Sequence, residues 1–271
     1  MNAVGDLAER LNDTKKLRVW SVIITFFGDA IVPRGGSVSA RTVQILLDRM
    51  GIEAGAVRTA FSRLTNDGWV VREKLGRSSF YHLSPMGLGP FAAATDRIYA
   101  PLPTANPANP ANENWRLTLR ENDFPKPHLR KLESDRDTKP ISKPSDDFLL
   151  DGTFANIPDW LKNMSCQPAH RQSYSALMEA FEPIAGADLS DIDSLAVRCL
   201  LIHEWRRILF QFDKVEPEFW TTDWPEPACH RFVCDLYQQL LPSSEAWMDA
   251  EATGPLGRIP QPESALVRRF S

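Results

Sequence analysis

Between Glu53 and Tyr81 the chain reads EAGAVRTAFSRLTNDGWVVREKLGRSSFY, and no other stretch narrows the possible folds as much. Its first half has helical spacing. Val57, Ala60, Phe61 and Leu64 make one apolar stripe, while Arg58, Thr59, Ser62 and Arg63 fall on the opposite side. Asn66-Asp67-Gly68 stops the helix, because glycine takes the left-handed conformation that follows a helix end. Trp69-Val70-Val71 resumes as a strand, Lys74-Leu75-Gly76-Arg77 turns, and Ser79 to Leu83 returns. Helix, strand, basic turn, strand is the outline of a winged helix. Arginine pairs bidentately with guanine O6 and N7, and Ser or Thr reaches phosphates or base edges, so the polar side suits a DNA major groove. The alternative is a solvated surface helix beside a hairpin that binds nothing.

The residues upstream supply the rest of such a domain. Leu17 to Phe27 reads as a helix with Val19, Trp20, Ile23, Ile24 and Phe27 inward, ended by Gly28. Residues 1–14 read as a frayed lead-in. Ile31 to Gly36 is a loop, set by Pro33 and the glycine pair. Ser39 caps a second helix, Ala40 to Met50, with Val43, Leu46, Leu47 and Met50 inward, and Gly51 breaks it. Three helices with a tight turn before the third, then a two-stranded hairpin, predict a winged helix-turn-helix. Arg34 and Arg41 either add phosphate contacts or are plain surface arginines. Lys74, Arg77 and Ser78 at the hairpin tip are placed against phosphates, and Trp69 and Phe80 in the core.

Phe91 to Tyr99 leads out of this domain into a proline-rich spacer, Ala100 to Pro110. Trp115 to Leu119 alternates like a strand. Leu129 to Leu132 is read as part of a short helix, Glu133 to Asp147 is polar with no assignable element, and Phe148–Leu150 and Phe154–Ala155 read as short strands. Helical spacing then returns in Tyr174 to Phe181, in the strongly apolar Ser194 to Phe212, and in a helix opened by Asp223-Trp224-Pro225 and reaching about Leu241. Glu251 to Ser271 reads as a loose tail. The expected class is α+β: a winged-helix domain over 1–100, a small middle module over 101–172, and a helical domain over 173–271.

Charge divides along the same line. The chain's net −4 separates into +4 over residues 1–100 and −8 over the remainder, so the positive part holds the proposed reading helix. Cys166, Cys199, Cys229 and Cys234 form no CxxC pair and read as reduced core residues, so no metal and no cofactor is expected. No apolar run approaches the roughly 20 residues of a membrane span, and the first residues lack the apolar core of a secretory signal. A cytoplasmic protein is expected. Neither a phosphate loop nor a GxSxG or HExxH motif is present, which argues against an enzyme.

Several blocks in combination carry a resemblance: Phe27 to Gly36 (FGDAIVPRGG), Ala56 to Leu64 with Gly68-Trp69, Gly76 to Leu83 (GRSSFYHL), Arg97 to Pro101, Leu201 to Leu209 (LIHEWRRIL) and Asp223-Trp224-Pro225. In these the chain resembles the PaaX family of bacterial transcriptional repressors of phenylacetate catabolism. The resemblance implies an N-terminal winged helix, a middle ferredoxin-like module similar to the Cas2 nuclease fold, and a helical C-terminal domain. It also implies a homodimer on a palindromic double-stranded DNA operator, released by phenylacetyl-CoA. Strand Trp115–Leu119 has no acidic metal ligand, so the middle module reads as structural. A CoA ester needs cations and an apolar slot. His203, Arg206, Arg207 and Trp224 are candidates, unless they form a buried His–Glu–Arg network that fixes packing. A DNA-binding or scaffold protein without a ligand is the alternative function.

Overall fold

Val4, Leu7, Ala8 and Leu11 repeat at helical spacing, and their burial turns the first residues into a packed helix, α1 (Ala3–Thr14), not a frayed lead-in. The computed structural model describes residues 3–14, 16–102, 114–119, 128–132, 148–154, 156–263, 266 and 269–270. Most of the spacer and the polar segment 133–147 lie outside the described residues. The described chain mixes helix and strand and divides into two compact units. One comprises residues 1–102, 169–213 and 225–271, and the other 103–168 and 214–224. Residues from the beginning and end of the sequence thus share the first unit.

In the first unit, α2 (Val19–Phe26) runs on through one wide π turn (Phe27–Ile31) and a short 3-10 turn (Val32–Arg34). Gly28 therefore does not end the helix. A Cβ at Gly28 would lie 1.7 Å from the ring of Phe91. The glycine leaves room for the Phe91 ring, which projects from α5 (Pro85–Ile98). Gly28→Ala should cost about 1–3 kcal/mol by overpacking, read as a lower urea midpoint at unchanged slope.

Ser37–Ser39 forms strand β1. Ser39 then caps α3 (Ala40–Arg49) by accepting from the Thr42 amide at 3.1 Å. The helix α4 (Ala54–Asn66) follows the turn at Gly51, whose φ is +74°. The hairpin β2 (Val70–Leu75) and β3 (Ser78–Leu83) closes through Gly76 at φ +60°, and β1 pairs antiparallel with β3 to give the order β1-β3-β2. The Ser84 side chain caps α5 by accepting from the Gly87 amide at 3.1 Å, and a Cβ on Gly87 would meet the Trp69 carbonyl at 2.8 Å.

Two long helices complete this unit. α8 (Asp191–Gln211) is buried on most of its circumference, and α9 (Glu226–Glu251) continues through Pro242 well past the predicted end near Leu241. α7 (Pro168–Phe181) buries Tyr174 and Phe181, and the Tyr174 ring centre lies 6.1 Å from that of Trp205 in α8. The segment after α9 is not loose. Thr253–Gly254 (β7) pairs with Gly257–Arg258 (β8), and Leu266 and Arg269 are buried. Thr253 is tied to the start of α3: its amide donates to Thr42 Oγ1 at 3.1 Å, and its hydroxyl donates to Ser39 Oγ at 2.8 Å.

Among its described residues the second unit has three antiparallel strands, β4 (Trp115–Leu119), β5 (His128–Lys131) and β6 (Phe148–Gly152), in the order β5-β4-β6, with a short helix, α6 (Asp159–Ser165), and a 3-10 turn (Pro217–Phe219). Residues 128–131 are strand, where a short helix was expected. Cross-strand pairing with Trp115–Thr118 outweighs the helical spacing of so short an apolar run. Trp115 anchors the unit against Phe154 and Phe219, with ring centres 5.3 and 5.2 Å away.

Candidate nucleic-acid interface

The apolar stripe of α4 is buried as its spacing requires: Val57, Ala60, Phe61 and Leu64 all lie in the core. Phe61 stacks on Tyr81 of β3 with ring centres 3.8 Å apart and planes 16° from parallel, so helix and hairpin are fixed to each other. Arg58, Thr59, Ser62 and Arg63 are exposed and, with Asn66 and Asp67, line one open depression. The Thr59 hydroxyl donates to the Gly55 carbonyl at 3.0 Å. Arg63 lies 3.4 Å from Asp67 and its guanidinium sits 5.4 Å from the Trp20 ring centre. Lys74, Arg77 and Ser78 are exposed around the hairpin tip, and Arg41 is exposed in the first turn of α3. In β2, Arg72 donates to Ser79 Oγ at 2.7 Å and so stiffens the hairpin.

Arg34 departs from the expectation. It is only 1% exposed, with Nε 2.9 Å from Glu245, Nη1 2.7 Å from Asp249, and a further bond to the Pro260 carbonyl at 3.0 Å. Two carboxylates and a carbonyl consume its donors, so it offers nothing to a phosphate. It belongs to a buried ionic cluster that sequence reasoning missed. Asp29, 2% exposed, meets Arg198 Nε at 2.7 Å and Arg269 Nη1 at 2.6 Å, and accepts from the Tyr99 and Tyr237 hydroxyls at 2.6 and 3.0 Å. Arg198 also bridges to Glu245, which holds Arg34. Three arginines face three carboxylates. Burial pushes the Asp29 carboxyl up, but the Arg198 and Arg269 guanidiniums outweigh it and hold its pKa below the ordinary 3.8. Burial and the adjacent Asp29 charge push the Tyr99 hydroxyl well above its ordinary range, so it stays a donor. The available signal was a charge inside an apolar run, Ala196-Val197-Arg198-Cys199-Leu200, since a buried charge requires a partner.

The proposed effector residues are similarly occupied. His203 is 5% exposed, with Nδ1 3.2 Å from Thr25 Oγ1. Thr25 Oγ1 also lies 3.0 Å from the Ser21 carbonyl, so His203 joins a hydrogen-bonded set on α2. Burial, with Arg206 and Arg207 nearby, lowers the His203 pKa to about 3. Arg206 donates to Ser21 Oγ at 2.6 Å, and Arg207 pairs with the buried Glu204. His203 and Arg206 are thus turned towards Thr25 and Ser21 of α2, while Arg207 stays within its own helix. Trp224 is buried and belongs to the second unit, whereas the other three belong to the first. Cys234 Sγ lies 3.4 Å from His230 Nδ1, but no group of three possible metal ligands occurs among the described residues.

Two family models match this chain: PaaX-like protein over residues 18–87, and PaaX-like protein C-terminal domain over residues 167–250, together more than half of the sequence. The chain belongs to the PaaX-like family. The first match covers α2 to the start of α5, and so contains all of α4 and the β2–β3 hairpin. The second covers nearly all of α7, α8 and α9. The chain is also 23% identical to the transcriptional repressor PaaX of Escherichia coli (strain K12), over 92% of this chain and 89% of that protein. The similarity is to a regulator, not to an enzyme. No helix among the described residues is long and apolar enough to cross a membrane.

Proposed function

We propose that this protein is a sequence-specific DNA-binding repressor. In this reading residues up to about 100 act as a winged helix-turn-helix: α4 enters the major groove and the β2–β3 hairpin touches the flanking backbone. The observation that carries it is the exposed row of Arg58, Thr59, Ser62 and Arg63 on a helix whose other side is fully packed. The exposed Lys74, Arg77 and Ser78 at the hairpin tip, and the similarity to a transcriptional repressor, support it. A palindromic operator bound by a homodimer, and release by an acyl-CoA such as phenylacetyl-CoA, complete the reading by analogy with the family. So do a ferredoxin-like middle module and a cytoplasmic setting.

Sequencing of genomic fragments retained by the purified protein, with and without phenylacetyl-CoA, is the direct test. A motif retained without the ligand and lost with it is expected, and no enrichment would end the proposal. Arg58→Ala should relax sequence preference by about 1–3 kcal/mol at one position. Arg77→Ala should instead weaken all sequences alike and reduce the salt dependence by about one ion. Equilibrium binding to the selected and a scrambled duplex at two salt concentrations separates these outcomes.

The second reading, a DNA-binding protein without a small-molecule ligand, is favoured by one observation: His203, Arg206 and Arg207 are all engaged within the protein. A thermal-shift panel of acyl-CoAs decides between the readings. Under the first reading phenylacetyl-CoA raises the melting temperature in wild type. Under the second no acyl-CoA moves it.

A further inference from the structure

Although Asn66 was not among the residues expected to read bases, it lies on the same exposed surface of α4 as those that were. At about 100° per residue, Arg58 sits roughly 40° to one side of Ser62 and Asn66 roughly 40° to the other. Opposite the middle of the buried stripe stand Ser62, Asn66 and Thr59, with Arg58 and Arg63 each roughly 70° to either side. Arg63 sits about 100° round from Ser62. There it lies over Trp20 of α2 and close to Asp67, at 5.4 Å from the ring centre and 3.4 Å from the carboxylate. A guanidinium held at the rim by a ring and a carboxylate is poorly placed to enter the groove floor. It is well placed to meet the phosphates along the groove wall, and it offsets the Asp67 charge that would otherwise repel them.

We propose that Asn66 is a base-reading residue selecting adenine, that Arg58 and Asn66 are the two ends of the reading surface, and that Arg63 is a backbone anchor. An asparagine amide matches the adenine N6 donor and N7 acceptor, as an arginine matches guanine O6 and N7. The eight-residue interval between them rises about 12 Å, the length of three to four base-pair steps. The bound sequence class is therefore a half-site with a guanine and an adenine separated by that interval, with Ser62 over the bases between. This inference rests on the DNA-binding reading above.

The test is selection from a random duplex library by wild-type protein and by Asn66→Ala, Asn66→Asp and Arg63→Ala variants, each then titrated on the selected duplex at several salt concentrations. Asn66→Ala should lose about 5- to 150-fold in preference for adenine at one position, with the rest of the motif retained. Asn66→Asp should shift that position towards cytosine, whose N4 amino group a carboxylate accepts. A change of preference cannot come from misfolding. Arg63→Ala should leave the motif unchanged, weaken binding to every sequence, and flatten the salt slope by about one. If Asn66→Ala and Asn66→Asp select the wild-type motif, or Arg63→Ala changes a base preference, the assignment is overturned while the DNA-binding reading stands. If wild type selects no motif, both fall together.

Discussion

Asp29→Ala should destabilise the protein by about 3–5 kcal/mol, the usual cost of removing one partner from a buried ion pair. The loss is large because of what remains. Arg198 is 0% exposed and Arg269 has 7% side-chain exposure, and both keep their charge when the carboxylate goes. The Tyr99 and Tyr237 hydroxyls lose their acceptor as well. Urea denaturation at neutral pH reads the effect as a drop in midpoint. A loss under 1 kcal/mol would mean that water or rearrangement replaces the carboxylate, and that the cluster contributes little. Asn in place of Asp keeps an acceptor but not the charge, so it should lose most of the same stability.

Acidification gives the other large effect, through the buried histidines. The pKa of His203 is lowered to about 3 by burial and its arginine neighbours, and that of His170 to about 4 by burial and Arg97. Both stay neutral in the folded state over a range where the unfolded chain, near 6.5, takes up protons. Folding stability from them is complete above about pH 6.5 and is lost as pH falls towards 4 and then 3. At pH 5 the loss should be about 2 kcal/mol from each, by proton linkage. Urea midpoints at pH 7.5 and pH 5 test it. A His170→Gln variant should show about half the wild-type difference, and equal midpoints for wild type at the two pH values would refute the account. Asp29 acts lower: its depressed pKa gives stability that is lost only below about 3.8.

The elements most legible in the sequence were those with an unbroken period and clear punctuation. α3 starts at its Ser39 cap, α4 buries the stripe from Val57 to Leu64, and the hairpin turns at Gly76. The surface proposed for bases was legible for the same reason, since a helix that buries one side must expose the other. What misled was local reading of residues whose role is set by distant ones. Arg34 looks like a loop arginine until Glu245 and Asp249 are placed beside it. The segment after Glu251 is rich in proline and glycine, yet Thr253 and Arg269 find partners more than two hundred residues earlier. Leu129 to Leu132 is too short for periodicity to choose between helix and strand, and pairing decides it. Asn66 was overlooked because it was read as a stop signal for the helix on whose outer face it stands.

The Asp29 cluster also sets an order of events during synthesis. Asp29 leaves the ribosome early, whereas its two guanidinium partners come from residues 198 and 269. Until Arg198 has emerged that carboxylate has neither of its cations beside it, and until Arg269 has emerged it has only one of the two. Nascent chains interrupted before Arg269 should therefore carry the whole of α4 yet hold it on an unfinished foundation.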